Sequence, residues 1–180
     1  MKISLPLLVF AFFAAAVQAA DAPYAGQQTR AIKALGADET KALLAGAGQG
    51  YARAAELNHH PGPMHTLELA VQLDLTPAQQ ETLAQLMARH KAEARALGAE
   101  VVRLEAELDA LFAGGKPVRE AVEAKAAEIG AAQARYRASH LVTHIETARI
   151  MTAGQIAHYD RLRGYTGAAV DGGHRSGHAH

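Results

Sequence analysis

Between Pro77 and Phe112 the chain has no proline after the first position and one glycine, Gly98. Apolar residues recur there at Leu83, Met87, Ala94, Leu97, Val101, Leu104, Leu108 and Leu111. With His90 included, the spacing alternates four and three without an error, and His90 stands where leucine would be ordinary. That is a heptad seam over four heptads, which must bury itself against another helix. At 1.5 Å per residue the predicted helix is roughly 54 Å long. Its start is equally legible in Leu75-Thr76-Pro77-Ala78-Gln79. Thr76 is a favourable N-cap, Pro77 takes the first helical position where its missing N–H costs nothing, and Gln79 can close a capping box.

The sequence around this helix predicts a hairpin. Gly114-Gly115-Lys116-Pro117 supplies a C-cap and a new N-terminus. A second long helix is expected to about residue 150, with a thinner stripe at Val118, Val122, Ile129, Ala132 and Tyr136. A short loop between two long helices makes them antiparallel. Met151-Thr152-Ala153-Gly154-Gln155 then repeats the capping box, Thr152 capping and Gln155 reciprocating, with Met151 and Ile156 placed for a hydrophobic staple. A last helix should end near Arg163. Upstream, residues 21–37 read as a polar arm, Asp38 as the N-cap of a helix through residue 44, and Gly46, Gly48 and Gly50 as a bend. Helical pieces are expected over 51–57 and 64–73, separated by the break His59-His60-Pro61-Gly62-Pro63. The fold class is therefore all-α, a long antiparallel helical hairpin with short flanking helices. A hairpin of this length has too little core alone, so the short helices and a second copy are expected to cover it, as a homodimer.

Residues 1–20 read as a signal peptide. Lys2 gives the positive start, residues 3–17 are apolar except Ser4 and Pro6, and small residues place cleavage after Ala19 or Ala20. The remaining divisions are the arm at 21–37, the helical domain at 38–165 and a Gly-rich, polar tail at 166–180, expected to be disordered. Without Lys2, 17 basic residues face 18 acidic ones, so no overall field favours nucleic acid. The absence of Cys excludes disulfides, thiolate metal sites and thiol catalysis. No later segment reads as a membrane span.

Two T-x-x-Q boxes, at Thr76–Gln79 and Thr152–Gln155, flank a long helical hairpin behind an export signal. In this the chain resembles the LTxxQ family of periplasmic stress proteins, the Spy/CpxP-like group with metal-linked relatives ZraP and CnrX. The resemblance covers about residues 38–165, and Met151 replaces the leucine of the second box. It implies a cradle-like all-α dimer in the periplasm that either holds unfolded clients without ATP or binds transition metal under envelope stress. The chaperone members are strongly basic; this chain is near neutral, and its ten histidines lean towards metal.

His140 and His144 lie four apart on a helix and project from one face. The hairpin centre falls near Gly115, and His90 and His140 are each 25 residues from it. They should therefore share an axial level, with Met87 near Thr143 and His144. Whether His90 faces His140 depends on helix rotation, which spacing does not fix. The candidate metal ligands are His90, His140 and His144, joined by His65 on the short helix after the Pro-Gly-Pro break. Glu68 is read as a surface charge, His59 and His60 as solvated loop residues, and His158 as exposed. An imidazole-rich, thiolate-free set suits Zn, Cu, Ni or Co as the divalent ion, and binding should weaken as pH falls through about 6.5. His174, His178 and His180 in the tail form a separate, looser metal-scavenging tract.

An enzyme is not expected. His-Leu-Val-Thr-His lacks the Glu of the zinc-protease motif, and Glu146 cannot replace it by spacing. Past residue 20 the serines are Ser139 and Ser176, and no phosphate loop occurs. The expected partners are a second copy and either unfolded periplasmic proteins or a sensor protein, with neither nucleic acid nor membrane insertion.

Overall fold

Both threonine boxes form as helix starts. In the computed structural model, which describes residues 22–166, Thr76 Oγ1 accepts from the Gln79 backbone N–H at 3.2 Å and Gln79 Oε1 accepts from the Thr76 N–H at 3.0 Å. Thr152 and Gln155 do the same at 3.2 and 2.9 Å. The two glutamines then meet. Gln79 Nε2 donates to Gln155 Oε1 at 2.9 Å and Gln155 Nε2 returns the bond at 3.1 Å, so one amide pair ties the starts of two helices.

The described residues contain six α-helices and no strand. The hairpin consists of α4 (Pro77–Ala113) and α5 (Arg119–Ile150). The short helices are α1 (Ala37–Ala45), α2 (Arg53–Glu56), α3 (Pro63–Glu68) and α6 (Ala153–Leu162). Helix α1 packs on α4, α2 on α5, and α3 on both. No helix among the described residues is long and apolar enough to cross a membrane. The signal segment lies outside the described residues, as does the tail from residue 167, with His174, His178 and His180.

Some boundaries move for physical reasons. Gly36, not Asp38, occupies the N-cap of α1, so Asp38 lies inside the first turn, where its charge still favours the helix N-terminus. The expected helix over 64–73 is α3 followed by turns, which end at Asp74 in a left-handed φ of 48° just before the Thr76 cap. The arm is not free of the core: Leu35 is buried, and Asp109 accepts from both the Lys33 backbone N–H and its ammonium.

The seam on α4 is buried as its spacing requires, at Leu83, Ala94, Val101 and Leu104. Gly98 admits a close approach of α1 to α4: a Cβ there would lie 2.0 Å from the Leu43 carbonyl oxygen. Two apolar clusters result. One gathers Leu43, Ala94, Val101, Leu104, Ile129, Ala132 and Tyr136; the other gathers Leu73, Leu75, Leu83, Met151 and Tyr159. Between them the α4–α5 seam turns polar. Ser139, His140, Thr143 and Thr147 are all buried there on α5. The three hydroxyls are satisfied by carbonyls of their own helix, Ser139 by Tyr136, Thr143 by Ser139 and Thr147 by Thr143. The imidazole is not.

Candidate metal centre

The antiparallel register sets His90 of α4 against His140 of α5. His90 Nε2 and His140 Nδ1 are 3.1 Å apart, with the rings edge to face. The remaining nitrogens, His90 Nδ1 and His140 Nε2, are buried without a hydrogen-bond partner. An unpaired polar atom in such a place is unfavourable by about 1–3 kcal/mol, so a two-histidine pair is a poor choice for packing alone. Tyr136 meets the His140 ring edge to face, Tyr51 lies tilted beside it with ring centroids 6.4 Å apart, and Tyr136 Oη donates to the Ala47 carbonyl.

Burial holds His140 down to about 4, with further lowering from His90 and His144. His90 is lowered by burial too; Glu93 opposes this and His144 adds to it. Burial also pushes the Tyr136 phenol up to about 12. Both rings of the pair are thus neutral at pH 7, the form in which imidazole binds a metal.

His144 lies one turn beyond His140. Its Nδ1 is 2.7 Å from the His60 carbonyl oxygen, and donating there leaves Nε2 as the unprotonated nitrogen. Glu56 completes that side. Its carboxylate accepts from Tyr159 Oη at 2.5 Å, Tyr165 Oη at 3.1 Å and the Gly62 N–H at 3.2 Å, and sits 3.4 Å from His144 Nδ1. Two glycines let the backbone pass close by: a Cβ on Gly48 would touch the His140 ring at 3.5 Å, and one on Gly62 would meet the His144 ring at 2.8 Å.

A groove of about 690 Å³ opens over this region, and all four histidines proposed from the sequence, His65, His90, His140 and His144, line it. The structure brings His90 and His140 into contact. It leaves His65 apart, paired through Nδ1 with Glu68 at 2.8 Å. Among the described residues no three His, Cys, Asp or Glu side chains gather as a metal-holding group. The other histidines have local roles. His59 Nδ1 meets the buried Asp160 carboxylate at 2.7 Å, His60 Nδ1 meets the Asn58 carbonyl, and His158 is half-buried rather than exposed.

The spacing of the pair suits a hydrogen bond between the rings and is also compatible with a shared ion. Two ring nitrogens bound to one metal at about 2.0–2.1 Å lie roughly 2.9–3.4 Å apart for right-angled to tetrahedral geometry. The observed 3.1 Å falls within that interval.

The model of the family described as heavy-metal resistance matches residues 40–157. The chain belongs to the heavy-metal resistance family. Comparison with curated proteins and with solved structures returned no match. The span matched by the heavy-metal resistance model includes both capping boxes and every histidine of the groove.

Nothing in the sequence singles out Glu56, and Gly62 is visible only as part of the break before Pro63. Glu56 occupies an ordinary helical stretch, and its role comes from Tyr159 and Tyr165, more than 100 residues away. Gly48 was visible only as part of a bend.

Proposed function

We propose that this protein is an exported, metal-responsive envelope protein that takes a divalent transition ion, Zn, Cu, Ni or Co, on the His90–His140 pair. His144 adjoins the pair and His65 lies farther along the same groove. The carrying observation is that pair: His90 Nε2 and His140 Nδ1 lie 3.1 Å apart on rings that burial keeps neutral. Membership of the heavy-metal resistance family supports the same class of ligand. The finer LTxxQ placement, cleavage of residues 1–20, a periplasmic location and the loose metal-binding role of the His174–His178–His180 tail belong to this reading. It is a binding role, not catalysis.

A homodimer is part of the proposal. On the hairpin a second groove of about 450 Å³ is lined by Leu86, Leu97 and Val142 together with Arg89, Arg135, Glu93 and Glu146. Both signs of charge in one patch suit a two-fold self-contact. A sensor or regulatory protein is the further partner expected of a metal-responsive molecule.

The test is titration of the purified protein with Zn(II) and Cu(II), alongside His140→Ala and His144→Ala. The proposal expects loss of the tightest site in His140→Ala and weakening in His144→Ala. Equal affinity in all three proteins would overturn it. Deleting residues 171–180 should lower capacity and spare that tightest site.

Exposed apolar side chains favour a second reading, an ATP-independent holdase with incidental histidines. Leu57 and Met64 are exposed at the groove, and Val142 and Ile145 on α5. Client-aggregation assays with chelator and with added metal separate the readings. Protection indifferent to metal and to the histidine variants supports the holdase.

A further inference from the structure

We propose that the groove of about 690 Å³ is a docking surface for this chain's own residues 167–171, with the Asp171 carboxylate seated on Arg53, Lys91 and the Gly48–Gly50 backbone. The proposal holds whether or not the groove takes an ion.

The ending of α6 brings the chain to the groove's edge. Gly164 takes a left-handed φ of 75°, and the Gly164 and Tyr165 N–H groups close back on the Arg161 and Asp160 carbonyls. That is a Schellman ending, which fixes the direction in which the chain leaves the helix. Tyr165 Oη then donates to Glu56, and Arg163 and Tyr165 both line the groove. Residue 167 therefore starts two positions beyond a groove wall. At about 3.3–3.6 Å per extended residue, the run from 167 to 171 reaches about 17 Å, enough to cross the groove.

The two sides match in chemistry. Leu57 and Met64 present apolar side chains on the wall, 55% and 47% exposed. Arg53 on α2 and Lys91 on α4 also line it, and among the described residues neither makes an ion pair. Glu56, the carboxylate of the wall, is already taken by Tyr159, Tyr165 and the Gly62 N–H. The backbone N–H groups of Gly48, Gln49 and Gly50 have no backbone acceptor among the described residues. Gln49 and Gly50 take φ of 45° and 80°, and successive amides in such a turn form a concavity that receives an anion. The Arg53 guanidinium lies beside Gly50. Such a wall suits small apolar residues followed by one carboxylate. Gly167-Ala168-Ala169-Val170-Asp171 supplies them in that order, and Asp171 is the acidic residue of the tail.

The chain has no cysteine, so a nitroxide on Gly173→Cys marks one place in the full-length protein. Amide spectra of that protein should show broadened signals for Gly48, Gln49 and Gly50, with those of Gly114 and Gly115 unaffected. Asp171→Lys should abolish the broadening, and Asp171→Glu should retain it. Without the label, amide exchange at Gly48–Gly50 should be about tenfold faster in Asp171→Lys, the effect of one charge-assisted hydrogen bond lost. No broadening at these glycines, or broadening that Asp171→Lys leaves intact, would overturn the proposal. Broadening that arises only between a spin-labelled copy and a separate isotope-labelled copy would assign the groove to the tail of a second molecule and overturn the intramolecular contact. No metal is added, so the histidine reading is judged separately.

Discussion

Gln79 and Gln155 exchange side-chain hydrogen bonds at 2.9 and 3.1 Å, joining the capping boxes of α4 and α6 across 76 residues of sequence. Gln79 Nε2 also donates to the Ile150 carbonyl and Gln155 Nε2 to that of Leu73, so the pair serves the end of α5 and the turn before α4 as well as the caps. Gln79→Ala and Gln155→Ala should each destabilise the protein by about 1–2 kcal/mol. The double change should cost less than the sum, by about 0.5–1.5 kcal/mol, because each single change already breaks the shared bonds. Denaturant melts of the four proteins in the cycle measure this; strict additivity would mean the amide pair contributes nothing.

Two helix-interior glycines should respond in opposite directions. Gly98→Ala places a methyl against the Leu43 backbone and should destabilise by about 1–3 kcal/mol or more as α1 is displaced. Gly130 has nothing within 4 Å of an added Cβ, so Gly130→Ala should stabilise by about 0.5–1 kcal/mol through helix propensity. Thermal melts of both variants decide the matter.

Glu105 is buried on α4, and burial, followed by the charge of Glu39 on α1, raises its carboxyl above the ordinary 4.5. A folded-state value above the unfolded one means that the fold holds the proton more tightly. Stability is therefore lost as pH rises from 4.5 through the raised value, and the loss persists at neutrality. Glu105→Gln should melt higher than wild type at pH 7, with the difference closing as pH falls towards 4.5. A constant difference across that range would assign the effect to packing instead of charge.

Glu56→Ala would leave the Tyr159 hydroxyl and the Gly62 N–H without their acceptor. The expected loss is about 2–4 kcal/mol, with faster amide exchange concentrated in α6. Exchange rising uniformly over the hairpin would argue against Glu56 as the latch of that helix.

The helices were legible because their signals are local and repeated. Leu83 through Leu111 announce a buried face by spacing alone, and each T-x-x-Q box needs only its own four residues. The axial level of His90 and His140 followed from counting to Gly115, and the rings do meet there. What spacing could not supply was rotation and the third dimension. Glu56 is defined by Tyr159 and Tyr165, Gly62 by the ring of His144, and Gly98 by the Leu43 carbonyl. His144 and His65 line the same groove as the pair, yet the His60 carbonyl and Glu68 engage their Nδ1 atoms, a detail that depends on loop conformation.

The central claim is that His90 and His140 are the heart of a metal site. Long-range proton–nitrogen spectra of the imidazole rings, recorded before and after one equivalent of Zn(II) at pH 7, test it residue by residue. The account predicts that the ring-nitrogen signals of His90 and His140 shift together and saturate at that first equivalent, while those of His59 stay in place. Signals of His90 and His140 that remain unchanged while the tail histidines respond would contradict it.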